Sequence, residues 1–125
     1  DYLYFSMKNA LIQQAKPYYN HFMIAAIEDE TLEKTMMAQV SQALLLIKGC
    51  IASFTIAKVK NNSNAVAVSA RSDGSYNVQK IMEKLNGGGH FSAAAVERED
   101  VSVQQMKDMI LKCIEEEQNN ESNIA

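Results

Sequence analysis

The spacing of apolar side chains divides the chain into alternating helical and extended segments. Leu3, Met7, Ala10 and Leu11 recur at helical intervals with Gln14 on the same stripe, and Pro17 disfavours helix in the residue before it, which predicts an amphipathic linker helix over residues 1–15. The run from His21 to Ile27 is apolar without alternation and is bounded by Asn20 and by Glu28, Asp29 and Glu30. That is the pattern of a strand covered on both faces. Leu32, Met36, Met37, Val40, Leu44 and Ile47 follow a 3.6-residue period, with Asp29 or Thr31 available as N-cap and Gly49 as terminator. The acidic triplet before this helix reads as a solvated run favoured by the helix macrodipole. Residues 50–60 are rich in β-branched and aromatic types, and residues 65–71 alternate Val66, Val68 and Ala70 against Ala67, Ser69 and Arg71. With Asn61-Asn62-Ser63-Asn64 as turn material, the two segments predict an antiparallel hairpin.

Asn77 is placed to cap a short helix whose apolar stripe is Val78, Ile81, Met82 and Leu85, ended by Asn86 and Gly87-Gly88-Gly89. Residues 90–97 return as a strand. Ser102 and Gln105 form a capping box ahead of Val103, Met106, Met109, Ile110, Cys113 and Ile114, and the helix is expected to fade into a polar tail over residues 119–125. The resulting order, β-α-β-β-α-β-α after the linker helix, predicts an α/β (α+β) fold: a mixed sheet of about four strands with packed helices.

A length of 125 residues accommodates one domain, placed at residues 18–118 behind a linker at residues 1–17. The first residue is Asp, within a helical pattern, so a piece of a longer protein is expected. Twelve Lys and Arg against 15 Asp and Glu give a net charge of −3, which argues against a nucleic-acid or anionic-membrane binder held by bulk charge. The distribution is uneven: residues 48–84 carry six bases and two acids, whereas residues 85–125 carry three bases and eight acids. An anion site should therefore draw on the middle third. Cys50 and Cys113 read as small core residues of a cytosolic protein. No window has the roughly 18–20 apolar residues of a membrane span, so neither a span nor a signal peptide is expected within these residues. Of the seven methionines, Met36, Met37, Met82, Met106 and Met109 fall on helix core stripes, so packing explains them better than a binding groove.

The densest chemical signal is Gly87-Gly88-Gly89-His90, within two dozen residues of Ser69-Ala70-Arg71-Ser72. Three glycines allow backbone N–H groups close to a phosphate or a base, although a helix stop and a turn would account for the run equally well. Arg71 lies on the opposite side of its strand from Val66, Val68 and Ala70, with Ser69 on its own face. A forked guanidinium suits a phosphate and also stacks on a purine, whereas an isolated strand-end arginine is more often merely solvated. His21 and His90 lack the partners of a helical metal motif, and no nucleophile elbow is present. No catalytic or metal-ligating residue is therefore nominated. Tyr18 and Tyr19 fit packing at a domain edge; Phe91, beside His90, is open to either packing or stacking on a base.

The stretch Ser69-Ala70-Arg71-Ser72, Asn77-Val78, Ile81-Met82-Glu83-Lys84-Leu85, Gly87-Gly88-Gly89-His90 and Ala94-Ala95 resembles the DHH-associated C-terminal domain of DHH-family phosphoesterases, over roughly residues 20–115. Ile47-Lys48-Gly49, Ala52-Ser53-Phe54 and residues 81–85 look most like the GdpP-type cyclic-di-AMP phosphodiesterases. The near alternative is the branch of oligoribonucleases and 3′-phosphoadenosine-phosphate phosphatases. The resemblance implies a separate upstream DHH domain that holds two manganese ions and performs hydrolysis, while the present chain carries no cofactor and holds the substrate. Carried over residue by residue, the substrate-binding set is Arg71, Gly87, Gly88, Gly89 and His90, with Ser69 and Ser72 as weaker members. Ala93 departs from the pattern, standing where that branch carries a polar Asn, which bears on recognition at the adenine side.

The expected ligand is a cyclic dinucleotide, with a short oligonucleotide or RNA end as the alternative. An RNA-tracking surface calls for a basic stripe with stacking aromatics, whereas this chain is net acidic and lacks Trp. A third reading, a dimerisation module with a purely structural glycine loop, is compatible with the first, since the resemblance also implies a homodimer. The resemblance further implies a cytoplasmic domain of a parent protein anchored to the membrane upstream, with no direct membrane contact of its own.

Overall fold

The computed structural model describes residues 1–124. Its elements are α1 (Tyr2–Gln13), β1 (Lys16–Tyr18), β2 (Phe22–Leu32), α2 (Lys34–Leu44), β3 (Ala52–Val59), β4 (Asn62–Ser72), α3 (Val78–Lys84), β5 (Gly88–His90), β6 (Ala93–Arg98) and α4 (Val103–Ile124). The strands form one mixed sheet in the order β1-β2-β3-β4-β6-β5. Only β2 and β3 run parallel, joined by α2; every other neighbouring pair is antiparallel.

Side-chain alternation along the strands builds two cores. On one face Ile24, Phe54, Ile56, Val66, Val68, Ala70 and Val96 pack against Ile81 and Met82 of α3 and Met106, Ile110 and Ile114 of α4. On the other, Ile27, Leu32, Ala57, Ala65 and Ala67 meet Met36, Met37, Val40 and Leu44 of α2, with Leu11 of α1 buried behind them. The mixed α/β architecture, the β3–β4 hairpin and the four helices follow the hydrophobic pattern. So do two caps: Asn77 Oδ1 accepts from Lys80 N at 3.1 Å, and Ser102 Oγ accepts from Gln105 N at 3.0 Å while Gln105 Oε1 accepts from Ser102 N at 2.8 Å. Cys50 and Cys113 are both free and buried.

Four expectations are corrected. The sheet has six strands rather than four, because the short edge strands β1 and β5 add to it. The single strand expected over residues 90–97 is a hairpin, in which Gly88, Gly89 and His90 form β5 and the chain turns at Phe91 and Ser92 into β6. Glu28, Asp29 and Glu30 belong to β2, where a bulge between Ile27 and Thr31 leaves them exposed, and α2 starts later, behind Glu33, with no side-chain cap and no acidic residue in its first turn. That helix also ends at Leu44, before Ile47 and Gly49. The polar tail continues α4 as helix to Ile124, and Ala125 lies outside the described residues.

Candidate functional site

The two faces of the sheet are covered unequally. Helix α2 lies over β3 and β4, leaving the same face of β6 and β5 open as the floor of a groove. Cross-strand register fixes what stands there. Arg71 pairs with Ala93, which pairs with His90; Ser69 pairs with Ala95, which pairs with Gly88; Ala67 pairs with Glu97. Residues directly opposite one another project to the same face, so three successive rows read Arg71-Ala93-His90, Ser69-Ala95-Gly88 and Ala67-Glu97. The middle row falls from a hydroxymethyl to a methyl to no side chain. The groove has a volume of about 480 Å³, with Met37 and Ala38 of α2 as one wall and Lys34 at one end.

The three glycines are not equivalent. A Cβ on Gly87 would overlap the Ala95 carbonyl oxygen and lie 2.6 Å from Val96 Cβ, and one on Gly89 would lie 2.6 Å from the Ala93 carbonyl oxygen at a backbone φ of +144°. Both are needed to lay β5 against β6. Gly88 has nothing within 4 Å of where its Cβ would stand. No protein atom requires a glycine there, and the space opens into the groove.

Arg71 is half-buried at the rim. Its Nη1 donates to the Ala70 carbonyl oxygen at 2.9 Å and to Ser69 Oγ at 3.3 Å, and among the described residues it has no carboxylate partner. Burial lowers its pKa from the ordinary arginine value; the group still carries its charge at any physiological pH. A partly desolvated cation with spare N–H donors is suited to an incoming anion.

Behind this row a buried hydroxyl chain ties α2 to the sheet. Ser41 Oγ donates to the Ser69 carbonyl oxygen at 2.7 Å and lies 2.7 Å from Thr55 Oγ1. Having spent its only proton on Ser69, Ser41 accepts from Thr55. Ser53 Oγ donates to the Ser41 carbonyl oxygen at 2.6 Å, satisfying one of the acceptors that a helix C-terminus leaves without a partner. These residues gave no sequence signal beyond small polar side chains in an apolar context.

Of the residues nominated from sequence, Arg71, Ser69, Gly87, Gly88 and Gly89 line this groove. His90 stands in the Arg71 row at its outer, exposed edge. Ser72 does not join them: it sits one residue out of phase with Arg71, is buried, and its hydroxyl accepts from Gly74 N at 3.2 Å. Tyr18 packs on the α4-side core, and Phe91 is exposed on the β5–β6 turn. Lys34 and Glu97, which form an ion pair across the groove's far end, were not anticipated. Among the described residues no group of three or more His, Cys, Asp or Glu is placed to hold a metal ion.

Residues 20–119 match the model of the DHHA1 domain. The chain belongs to the DHHA1 family. It is 35% identical over 112 residues to the cyclic-di-AMP phosphodiesterase PdeA of Listeria monocytogenes, covering 89% of this chain and 17% of that protein. It is 40% identical over 87 residues to the cyclic-di-AMP phosphodiesterase GdpP of Geobacillus thermodenitrificans, covering 70% of this chain and 13% of the relative. The DHHA1 chain thus spans less than a fifth of the length of these curated relatives. An exopolyphosphatase-related protein from Bacteroides fragilis shares the fold, with a TM-score of 0.69 at 17% identity over 90% of this chain and 34% of the other. Among the described residues no helix is long and apolar enough to cross a membrane.

Proposed function

We propose that this DHHA1 domain is the nucleotide-holding part of a cyclic-di-AMP phosphodiesterase, taking a phosphate on Arg71 and laying the attached nucleoside along the groove over Ala95 and Gly88. The observation that carries the reading is the half-buried guanidinium, without a carboxylate partner among the described residues, beside the open Gly88 position in a groove of about 480 Å³. That volume falls within the ~300–1,000 Å³ of small-molecule sites. The names of the relatives, both cyclic-di-AMP phosphodiesterases, supply the substrate class.

The chemistry assigned to this chain is binding and orientation. Arg71 anchors the phosphate with charge-assisted hydrogen bonds, Ser69 Oγ and the Ala70 carbonyl hold the guanidinium plane, and His90, at the open end of the same row, is assigned a supporting hydrogen bond to that phosphate. Among the described residues no donor set fits a metal centre, and hydrolysis is assigned to an upstream DHH domain of the parent polypeptide. Manganese there would supply hydroxide and stabilise charge at phosphorus. A homodimer, and a parent anchored to the membrane with this domain on the cytoplasmic side, complete the proposal.

Calorimetric titration of cyclic-di-AMP into the wild-type chain and Arg71→Ala tests it. Saturable binding, weakened at least roughly tenfold in the variant, is expected, from the ~1.5–3 kcal/mol of a hydrogen bond to a charged group. Tighter binding of oligoadenylate with a steep salt dependence would favour an RNA-end reader instead. Metal-dependent cleavage by this chain alone would overturn the division of labour.

A further inference from the structure

We propose that Glu97 and Lys34, ion-paired across the groove two rows from Arg71, read the hydrogen-bonding edge of the base whose phosphate Arg71 holds. The inference rests on the nucleotide reading above and extends it from the phosphate to the base.

Three observations carry it. The first is position: Ala67, the β4 partner of Glu97, is four residues from Arg71, or about 14 Å at ~3.4 Å per residue. Arg71 donates to Ser69 Oγ, which turns its guanidinium toward that end and shortens the span toward the length of one extended nucleotide, along a floor of Ala95 and Gly88 that carries nothing larger than a methyl group. The second is charge. Lys34 is neutralised by Glu97, so this end does not compete with Arg71 for phosphate. It instead presents one acceptor, the Glu97 carboxylate, beside one donor, the Lys34 ammonium. The third is accessibility: both side chains are solvent-exposed, Lys34 at 64% and Glu97 at 37%, so admitting a ligand edge between them breaks no buried contact, and an exposed ion pair contributes little to the fold.

An acceptor beside a donor is complementary to a base edge carrying an amino group next to a ring nitrogen, as adenine does with its N6 amino group and N7. Glu97 accepts from the exocyclic amine, and Lys34 donates to the ring nitrogen. With Ala93 offering no polar group in the first row, base recognition passes to this far row.

The test is a cycle between protein and ligand. Cyclic-di-AMP and its analogue with unsubstituted purine in place of both adenines are titrated into the wild-type chain, Glu97→Ala and Glu97→Gln. The wild type is expected to prefer cyclic-di-AMP by roughly tenfold, the worth of a hydrogen bond to a charged group. Glu97→Ala should abolish the preference, and Glu97→Gln, which keeps an acceptor oxygen, should retain part of it. Deleting a charge changes the affinity of both ligands alike, so their ratio isolates the contact with the amine. An unchanged ratio in Glu97→Ala, or no preference in the wild type, would overturn the inference while leaving the Arg71 reading intact. Failure of both ligands to bind the wild type would overturn the two together.

Discussion

The two faces of this sheet are built from the same strands and do opposite things. Where α3 and α4 cover it, Phe54, Ile56, Val68 and Val96 fill the interior with large side chains. Where α2 covers it, the corresponding positions shrink to Ser53, Thr55, Ala57, Ala67 and Ser69, and over β6 and β5 they shrink further to Ala93, Ala95 and Gly88. Apolar volume holds a fold together; its withdrawal, row by row, leaves a groove that a ligand can fill. The hydroxyl chain through Ser41 compensates on the thin side, supplying directional bonds where bulk is missing.

Substitutions should separate the faces, beginning with the most damaging. Phe54→Ala, fully buried on the α4 side, should cost about 3–5 kcal/mol of stability, read as a large drop in the denaturant midpoint. Adding a methyl to the glycine run comes next. Gly87→Ala and Gly89→Ala force β5 away from β6 and should each destabilise by about 1–3 kcal/mol, whereas Gly88→Ala should leave the stability within about 0.5 kcal/mol of wild type yet weaken cyclic-di-AMP binding. Equal destabilisation by all three would erase the distinction drawn between them. Ser41→Ala leaves the Ser69 carbonyl and Thr55 without their buried partner and should cost about 1–3 kcal/mol, with Ser41→Thr a milder change.

The smallest effect lies on the sealed face, where Glu117 of α4 pairs with Lys84 at 2.8 Å and Lys80 at 3.0 Å of α3. The bond from Lys84, joined by that from Lys80, holds its carboxyl below the ordinary range despite an opposing contribution from burial. A depressed folded-state pKa stabilises above the unfolded value, about 4.3 for Glu, and that contribution fades as pH falls through the lower folded value. Glu117→Gln should therefore narrow the gap between melting temperatures at neutral pH and at about pH 3.

Helices and the central hairpin were legible because their apolar periods run long enough to be read, and the caps at Asn77 and Ser102 because their chemistry is local. Strand β5 was not, since Gly88 and Gly89 have no side chains to alternate and its pairing is purely backbone. The acidic triplet misled for a related reason: Glu28, Asp29 and Glu30 look like the preface to a helix, but the bulge in β2 carries them past the sheet into solvent while the strand continues to Leu32. Within the groove, Arg71 and the glycine run were visible only as candidates, because a helix stop explains the glycines and a solvated strand end explains the arginine equally well until strand register brings them together. Lys34 and Glu97 are far apart in sequence and ordinary in type, and only the register of β4 with β6 brings Glu97 to the floor beneath the start of α2. Ser72 was nominated by the family resemblance, as a weaker member, and strand alternation puts it on the other side.

The central claim is that a phosphate is gripped by Arg71 at one end of the groove. Its most direct test is titration of cyclic-di-AMP into the wild-type chain and Arg71→Ala, with melting temperatures recorded on the same samples. The account predicts a saturable wild-type isotherm, an affinity at least roughly tenfold lower in the variant, and unchanged melting. Equal affinities in the two proteins, or no binding to the wild type, would contradict it.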